Sequence, residues 1–276
     1  MNSNLISSAQ ENIDTNYSNQ VVTSNVLTGQ DLSDLFTGKI AAIRIPGFCD
    51  RNTIDHGLNK LHHKNVVEYN NAAGVGKYEN LGMAYFEATN DELKKEYYSQ
   101  SIASIQKTRE IFSPYLAPID KVRLEIGEKW PHGASLLNLG EGPMFVGLIR
   151  ALSKEIFPHE DKLERDDPSI IDKIDYVGQA AFNCYLKVPS SGGELDLWNI
   201  SLPDQIYDDL RGASYGISRD FLPAPTLSLK PKEGELIVFN PRYLHAVSKC
   251  SDEETRISAS GFVLYQGEGK PLHLWS

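Results

Sequence analysis

The sequence predicts an α+β fold in which a helix-rich N-terminal half packs on a C-terminal double-sheet jelly roll. Two observations support this prediction. Residues 89–116 place apolar side chains roughly on one helical face. After Pro131 the chain changes to short strand-like runs separated by Gly, Pro, Asn and Asp. Several short strands with such turn signals are typical of an antiparallel sandwich or barrel.

The composition along the chain suggests how these parts are arranged. Residues 1–25 are rich in Ser, Asn and Gln, and we expect them to form a disordered lead-in. We expect residues 26–276 to form a single domain, with helical support over 26–130 and the jelly-roll core over 131–276. Within the support, the apolar run at 38–48 predicts a strand that ends at Pro-Gly.

The overall charge excludes several classes of function. The chain has 276 residues, of which 41% are hydrophobic, and a net charge of −10. Binding to nucleic acid or to an anionic membrane needs clustered Lys and Arg, and no apolar run approaches the length of a membrane span. We therefore expect a small-molecule substrate and neither a nucleic-acid nor a membrane partner. The oligomeric state stays open.

The three cysteines bear on the cellular compartment. Cys49, Cys184 and Cys250 are far apart and show no C-x-x-C spacing, which argues against a disulfide framework or a zinc cluster. We interpret them as reduced, buried thiols of a cytoplasmic protein.

A histidine and an aspartate stand two positions apart in the charged run FPHEDKLERDD. In an extended segment, the side chains of His159 and Asp161 would point to the same side and could bind one metal ion. A distant His245 would complete a two-histidine, one-carboxylate set, which suits non-haem Fe(II) oxygenases. By itself the charged run is more typical of a solvated loop than of a metal site, and a lone histidine at a strand end is more often structural.

Arg256 follows His245 by eleven positions and also lies in strand-like, largely apolar surroundings. Taken alone, it would be interpreted as a surface ion-pair partner. The order of the motifs favours a shared role: His-x-Asp, a stretch with strands, a second histidine, then Arg-x-Ser on the next strand.

This order resembles the Fe(II)/2-oxoglutarate-dependent oxygenase superfamily, whose motif runs H-x-D/E, a distal H, and an R about ten residues later followed by x-S. The resemblance implies a double-stranded β-helix, with Fe(II) bound by His159, Asp161 and His245. It implies 2-oxoglutarate and O₂ as co-substrates, and Arg256, helped by Ser258, as the site for the far carboxylate of 2-oxoglutarate. A guanidinium fork matches a carboxylate bidentately, which agrees with that role.

Two longer segments extend the resemblance. Residues 179–199 and 232–248 resemble the central strands of a bacterial subgroup of this superfamily. More distantly, the arrangement and the terminal LHLWS are similar to the carrier-independent halogenases of hapalindole-type alkaloid pathways. In those halogenases a small residue replaces the carboxylate and opens a ligand position for chloride. Asp161 retains the carboxylate here, which favours hydroxylation or another oxidative outcome over halogenation.

Strand alternation in 179–186 adds candidates for co-substrate binding. One face would carry Gln179, Ala181, Asn183 and Tyr185, while the other carries apolar residues typical of a core. Asn183 and Tyr185 could line a barrel interior that holds 2-oxoglutarate. A solvent-facing side of an edge strand would explain the same polarity equally well.

The predicted function is hydroxylation of an unactivated C–H bond in a small molecule, with release of succinate and CO₂. The substrate would be a free amino acid or a specialised metabolite. We expect an apolar substrate wall and a cation for a carboxylate, although plain packing and plain surface explain these residues equally well. The candidates are Met83, Tyr85, Phe86, Ala181, and Arg211 or Arg219.

Other functions remain compatible with these motifs. The same cofactors could drive desaturation, ring formation or halogenation. A cupin-type metal enzyme would use no 2-oxoglutarate, and a binding module on the same scaffold would have no activity. Succinate release that depends on 2-oxoglutarate separates both of these from the predicted dioxygenase.

Overall fold

The computed structural model describes residues 12–14, 16–62, 67–69, 78–251 and 254–276. This part of the chain contains six α-helices, namely α1 (Gly29–Phe36), α2 (Arg51–His62), α3 (Asp91–Phe112), α4 (Pro118–Lys129), α5 (Leu163–Asp166) and α6 (Asp204–Arg211). Three short 3₁₀ helices cover Tyr85–Glu87, Pro168–Ile170 and Arg219–Phe221. None of the helices in these segments has the length and apolar character needed to cross a membrane.

Fourteen strands are present in the same part of the chain. The first seven are β1 (Val21–Thr23), β2 (Ala42–Ile45), β3 (Val67–Tyr69), β4 (Tyr78–Leu81), β5 (Ala134–Leu136), β6 (Leu148–Leu152) and β7 (Ile156–His159). The remaining seven are β8 (Gly178–Lys187), β9 (Leu195–Leu197), β10 (Leu227–Leu229), β11 (Leu236–Phe239), β12 (His245–Val247), β13 (Arg256–Tyr265) and β14 (Leu272–Trp275).

These strands form two sheets. The larger sheet has the order β1-β2-β11-β8-β13-β6-β4-β3, with β14 paired to β13 and β5 paired to β14. The smaller sheet has the order β10-β9-β12-β7. The pairs are antiparallel except for β1 with β2 and β5 with β14. This is the double-stranded β-helix that the sequence predicts.

The central strand β8 shows how the layers pack. Its residues Ala180, Phe182, Cys184 and Leu186 belong to the main core, which the helices share. Ala181 and Tyr185 point the other way and pack with Leu195 and Leu197 of the smaller sheet. The alternation predicted for this strand is confirmed, because neighbouring residues of a strand face opposite sides of the sheet. The larger sheet therefore has helices on one face and the smaller sheet on the other.

Helices α3 and α4 cover the outer face of the larger sheet. The side chain of Asn90 caps α3 by accepting a hydrogen bond from the backbone N–H of Leu93. Pro118 occupies the first turn of α4, where its missing N–H costs nothing. Phe112 and Val122 are fully buried. The helices predicted near 89–116 and 118–128 are confirmed. Burial of their apolar faces in the main core stabilises them.

The expected disordered lead-in over 1–25 is corrected for residues 16–25. Strand β1 pairs in parallel with β2, and the ring of Tyr17 stacks on Tyr243 with centroids 3.9 Å apart. The hydroxyl of Tyr243 donates to Asp14 Oδ2 at 2.6 Å. These contacts tie a polar segment to the sheet, which its composition alone does not indicate. Residues 1–11 and 15 lie outside the described part of the chain.

The boundary at residue 130 between helical support and sheet core is also less sharp than expected. Strand β2 from the N-terminal half pairs with β11, and Ala42 lies opposite Phe239. Ala42, Ile43 and Ile45 are almost fully buried. A strand buried on both faces needs sheet neighbours to satisfy its backbone groups, so this segment is part of the larger sheet.

The packing around β8 gives a stability prediction. Leu186 is fully buried in the main core, whereas Leu116 keeps about half of its surface exposed, at 52%. We expect Leu186→Ala to lower the free energy of unfolding by about 2–5 kcal/mol, because it leaves a cavity. Urea denaturation measures this value, with Leu116→Ala as the matched control. Equal losses in the two variants would contradict the described packing.

Candidate metal centre

Two neighbouring strands of the smaller sheet bring the two histidines together. His159 is the last residue of β7 and His245 the first residue of β12, and the two are directly paired in the antiparallel register. Their ring centroids lie 4.2 Å apart. Asp161 follows β7, and its backbone N–H donates to the carbonyl of Pro241 at 2.9 Å. This bond holds the aspartate beside the start of β12.

The three side chains present their ligand atoms to one point. One ligand atom from each of His159, Asp161 and His245 lies within 4.8 Å of the other two. The Nε2 atom of His159 is 3.7 Å from Asp161 Oδ1, and that of His245 is 3.3 Å from Asp161 Oδ2. Both histidines are buried. The donor set, two imidazoles and one carboxylate, fits a divalent iron ion.

Backbone carbonyls set the orientation of both imidazole rings. The Nδ1 of His159 lies 2.7 Å from the carbonyl oxygen of Phe157, and the Nδ1 of His245 lies 3.1 Å from that of Tyr243. A carbonyl only accepts, so each Nδ1 carries the proton and donates it. Each Nε2 is then left with a free lone pair towards Asp161, which is the arrangement found in metal-binding histidines.

The surroundings also set the charge state of this site. Burial, together with the neighbouring His245, lowers the pKa of His159 to about 4, so this imidazole is neutral at pH 7. Burial opposes ionisation of Asp161, but its attraction to the protonated forms of His159 and His245, and to the charge of Arg150, outweighs burial and holds the pKa of Asp161 below its usual range. A neutral imidazole and an ionised carboxylate are the forms that bind a metal ion.

Arg256 reaches the same cavity from the larger sheet. It starts strand β13, keeps only 4% of its surface exposed, and lines the cavity together with the histidines. Within the described residues its Nε and Nη1 atoms have no hydrogen-bond partner, and neither does the buried hydroxyl of Tyr185. The Arg256 Cζ atom lies 5.4 Å from the Tyr185 ring centroid. Burial lowers the pKa of Arg256.

The predicted co-substrate residues lie around this arginine. Asn183 lines the cavity, while Ser258 is buried and lies opposite Tyr185 in the pairing of β13 with β8. Unpaired donors at a buried site are costly unless an acceptor binds them. The chemistry of these donors fits the carboxylate of a dicarboxylic acid.

Two residues near the triad were not predicted from the sequence. The hydroxyl of Tyr215 donates to Asp161 Oδ1 at 3.3 Å, and its ring lies 4.9 Å from that of His159. Arg150, on β6, also lines the cavity. One signal for Arg150 was visible in the sequence, since it is a lone charge within the apolar run MFVGLIRAL. Tyr215 lies in a polar connection and carries no such signal.

Of the four predicted substrate residues that are not arginines, two lie at the site and two lie elsewhere. Ala181 lines the cavity, and the Phe86 ring lies 5.9 Å from that of Tyr215. Met83 packs against the main core. Tyr85 is also buried in that core, and its hydroxyl donates to Asp167 Oδ2 at 2.6 Å. Phe86 also packs against the main core, but it has a described contact with a residue of the site, so it stays the candidate for the apolar wall.

Neither arginine proposed for a substrate carboxylate reaches the cavity. Arg219 pairs with Asp196 at 2.8 Å. Asp196 follows Leu195, which lines the cavity, so alternation places Asp196 and Arg219 on the outer face of the smaller sheet. Arg211 pairs with Asp208 on helix α6. Both expectations are corrected, because nearby aspartates hold these charges outside the site.

Comparison with known proteins identifies the family. A model of the family described as carrier-protein-independent halogenase WelO5 matches residues 20–276. The chain belongs to this family. This WelO5-family protein is 25% identical over 260 residues to L-gamma-glutamyl-L-propargylglycine hydroxylase of Streptantibioticus cattleyicolor. The aligned region covers 92% of this chain and 95% of the hydroxylase. It is 30% identical over 120 residues to L-isoleucine 3(1)-dioxygenase of Pantoea ananatis, 39% of this chain and 38% of that enzyme.

A solved structure supports the fold. The crystal structure of an N-substituted L-amino acid dioxygenase from Burkholderia ambifaria AMMD is similar, with a TM-score of 0.59 at 15% identity, covering 91% of this chain and 92% of that one. This similarity shows the fold. The family match, the relatives named as a hydroxylase and a dioxygenase, and the triad show that the WelO5-family protein is an Fe(II)/2-oxoglutarate-dependent dioxygenase. Its cofactor is Fe(II), and its co-substrates are 2-oxoglutarate and O₂.

Proposed function

We propose that the enzyme hydroxylates an unactivated C–H bond of a small molecule related to the amino acids, with release of succinate and CO₂. The observation that carries this proposal is the convergence of His159, Asp161 and His245, whose ligand atoms lie within 4.8 Å of one another. We assign these three residues as the iron ligands. The substrate is a free amino acid or a specialised metabolite.

The geometry of the two imidazoles supports the ligand assignment. Both rings are fixed by carbonyls at Nδ1 and offer Nε2, and three protein ligands leave other coordination positions open. When bound, Fe(II) with 2-oxoglutarate and O₂ supplies the oxidation that puts one oxygen atom into the substrate and the other into succinate. The protein holds the ligands in place and keeps the site buried.

We assign Arg256, with Ser258, to the far carboxylate of 2-oxoglutarate. The Nε and Nη1 atoms of this guanidinium are buried without a partner in the described part of the chain, and each can donate a charge-assisted hydrogen bond to a carboxylate. The ring of Tyr185 lies against the same guanidinium, and its unpartnered hydroxyl can donate a further hydrogen bond. Asn183 lines the cavity and can donate from its amide.

Asp161 favours hydroxylation over halogenation. A carboxylate and a halide would compete for the same ligand position, and the carboxylate here is anchored by Tyr215 and by the backbone bond to Pro241. The family model bears the name of a halogenase, whereas the relative that covers nearly the whole chain is named a hydroxylase. Desaturation and ring formation use the same cofactors and are distinguished by product analysis.

The names of two relatives support an amino-acid type of substrate. One is a hydroxylase of L-gamma-glutamyl-L-propargylglycine and the other a dioxygenase of L-isoleucine. Both names describe small molecules with aliphatic or unsaturated side chains. The ring of Phe86 and the methyl group of Ala181 would provide an apolar contact for such a side chain.

We also infer a cytoplasmic location and one structural domain over 26–276. The cysteines Cys49, Cys184 and Cys250 are all free and buried, which fits a reducing compartment. A single main core contains residues from both halves of the chain, for example Leu32 and Leu186, which supports one domain.

The proposed function is tested by succinate release. Purified protein with Fe(II), ascorbate, 2-oxoglutarate and O₂ should form succinate, and a panel of amino acids and their derivatives should contain a compound that stimulates this release. Mass spectrometry of the product should show a gain of one oxygen atom. Turnover of the same compound without 2-oxoglutarate would instead favour a cupin-type enzyme, and the absence of any turnover would favour a binding module.

Tyr215 provides a prediction about the iron site. Its hydroxyl donates to Asp161, and partners of this kind typically change metal affinity by about 10- to 100-fold. We expect Tyr215→Phe to raise the dissociation constant for Fe(II) by about 10-fold, measured by anaerobic titration. Tyr115→Phe, at an exposed tyrosine, is the matched control. An unchanged dissociation constant in Tyr215→Phe would show that this bond does not position the carboxylate.

A further inference from the structure

A second arginine points into the cavity beside the first. Arg150 lies on β6 directly opposite Ser258 of β13. Directly paired residues point to the same face of a sheet, and both Arg150 and Arg256 line the cavity of the triad. The site thus holds two guanidinium groups, of which the co-substrate assignment uses one.

The two arginines have different neighbours. Arg256 lies against the ring of Tyr185, whereas the Cζ atom of Arg150 lies 5.7 Å from the ring centroid of Phe86. Phe86 in turn lies beside Tyr215, which packs on His159. Arg150 therefore lies at the wall that would face a substrate, next to the apolar contact of the cavity.

The charge of Arg150 has no partner in the described part of the chain. Its Nε atom is buried without a hydrogen-bond acceptor, and it forms no ion pair there. Arg150 as a whole is half-buried, and a charged group whose buried donor lacks an acceptor is unfavourable. Its positive charge also acts on Arg256, adding to burial in lowering the pKa of that residue. An anion beside Arg150 would relieve both effects.

The charges of the loaded site show which groups would already have a partner. The two charges of Fe(II) and the one of Arg256 would be balanced by Asp161 and the two carboxylates of 2-oxoglutarate. Arg150 adds a further positive charge to the cavity, which neither the cofactor nor the co-substrate neutralises. A carboxylate of the substrate would provide an anion for it.

We propose that Arg150 binds a carboxylate of the substrate, so that the enzyme selects small molecules that carry a free carboxylate. This inference rests on the proposed function, because it assigns the remaining charge of that same site. The planar guanidinium can bind the carboxylate bidentately through two hydrogen bonds. The neighbouring Phe86 then contacts the apolar part of the same molecule.

Binding to the enzyme loaded with Ni(II) and 2-oxoglutarate tests this assignment without turnover. Calorimetry would measure the dissociation constants of the proteinogenic L-amino acids, their N-acetyl derivatives and the carboxamide of each. The variants are Arg150→Met, Arg150→Lys and, as a control, Arg51→Met, whose side chain is 66% exposed and pairs with Asp55 and Glu233. The dissociation constant for 2-oxoglutarate is measured in every variant.

We expect the carboxylate that binds most strongly to bind at least about 30-fold more tightly than its carboxamide, since a buried charge pair is worth about 2 kcal/mol or more. Arg150→Met should remove this difference, Arg150→Lys should keep part of it, and both should bind 2-oxoglutarate as the wild type does. Equal binding of carboxamides, no binding of any carboxylate, or weakened 2-oxoglutarate binding in Arg150→Met would each overturn the assignment. Failure of the proposed function looks different, because the wild type would then not bind 2-oxoglutarate with the metal.

Discussion

Replacing Asp161 with alanine is expected to lower 2-oxoglutarate-dependent succinate formation by at least about 1,000-fold. Loss of a partner outside the ligand set typically changes affinity or activity by about 10- to 100-fold, and loss of a ligand should cost more. Asp161 is also the only carboxylate in the triad, so its loss removes the charge that offsets the metal ion. Iron content after anaerobic loading and succinate formation measure the effect.

The control for this variant is Asp172→Ala, at an exposed position. Circular dichroism should show that both variants keep the fold, because Asp161 contributes to no apolar core. An Asp161→Ala protein that retains iron and succinate formation would contradict its assignment as a ligand. Asp161→Gly should likewise lose hydroxylation, and added chloride tests whether the opened position accepts a halide, with chlorinated product detected by mass spectrometry.

Replacing Arg256 with methionine is expected to weaken 2-oxoglutarate binding by about 30- to 5,000-fold. Loss of one partner of a buried, hydrogen-bonded charge pair costs about 2–5 kcal/mol, and each 1.4 kcal/mol is about tenfold in affinity. The dissociation constant of Arg256→Lys for 2-oxoglutarate should lie between those of Arg256→Met and the wild type, because lysine keeps the charge but cannot bind the carboxylate bidentately. Anaerobic titration with Fe(II) and 2-oxoglutarate measures the dissociation constant.

The stability of the apo protein separates this role from a structural one. Arg256 Nε and Nη1 have no partner within the described residues, so methionine should leave the melting temperature unchanged or raise it. If Arg256 were a structural ion-pair residue instead, the variant would melt at a lower temperature than the wild type. Arg51→Met is again the control at an exposed position.

The sequence carried strong signals for the triad. His159 and Asp161 stand in a short extended motif, and His245 and Arg256 recur at a fixed spacing in strand-like surroundings. A metal site of this kind requires particular residue types in a particular order along the chain. A motif of a few residues can therefore be recognised in the sequence. The alternation along β8 was visible for the same kind of reason, since strand geometry repeats every two residues.

The substrate wall carried no comparable signal. Arg211 and Arg219 were as suitable by residue type as Arg150, but Asp208 and Asp196 pair with them outside the cavity. Tyr85 and Phe86 are neighbours in sequence, yet one is buried in the core and the other lies beside Tyr215. Which cation is left unpaired depends on contacts between distant segments.

The sequence by itself determined the fold class, the central helices and strands, and the four residues that match the iron and 2-oxoglutarate motif. Local periodicity and short-range spacing encode these features, because hydrogen-bond geometry and ligand chemistry act over a few residues. Only the tertiary structure decided that β1 and β2 extend the larger sheet. Only the tertiary structure showed that Arg150 and Tyr215 stand at the triad. Those contacts join segments far apart in the chain, and burial and pairing at such contacts depend on the whole packed molecule.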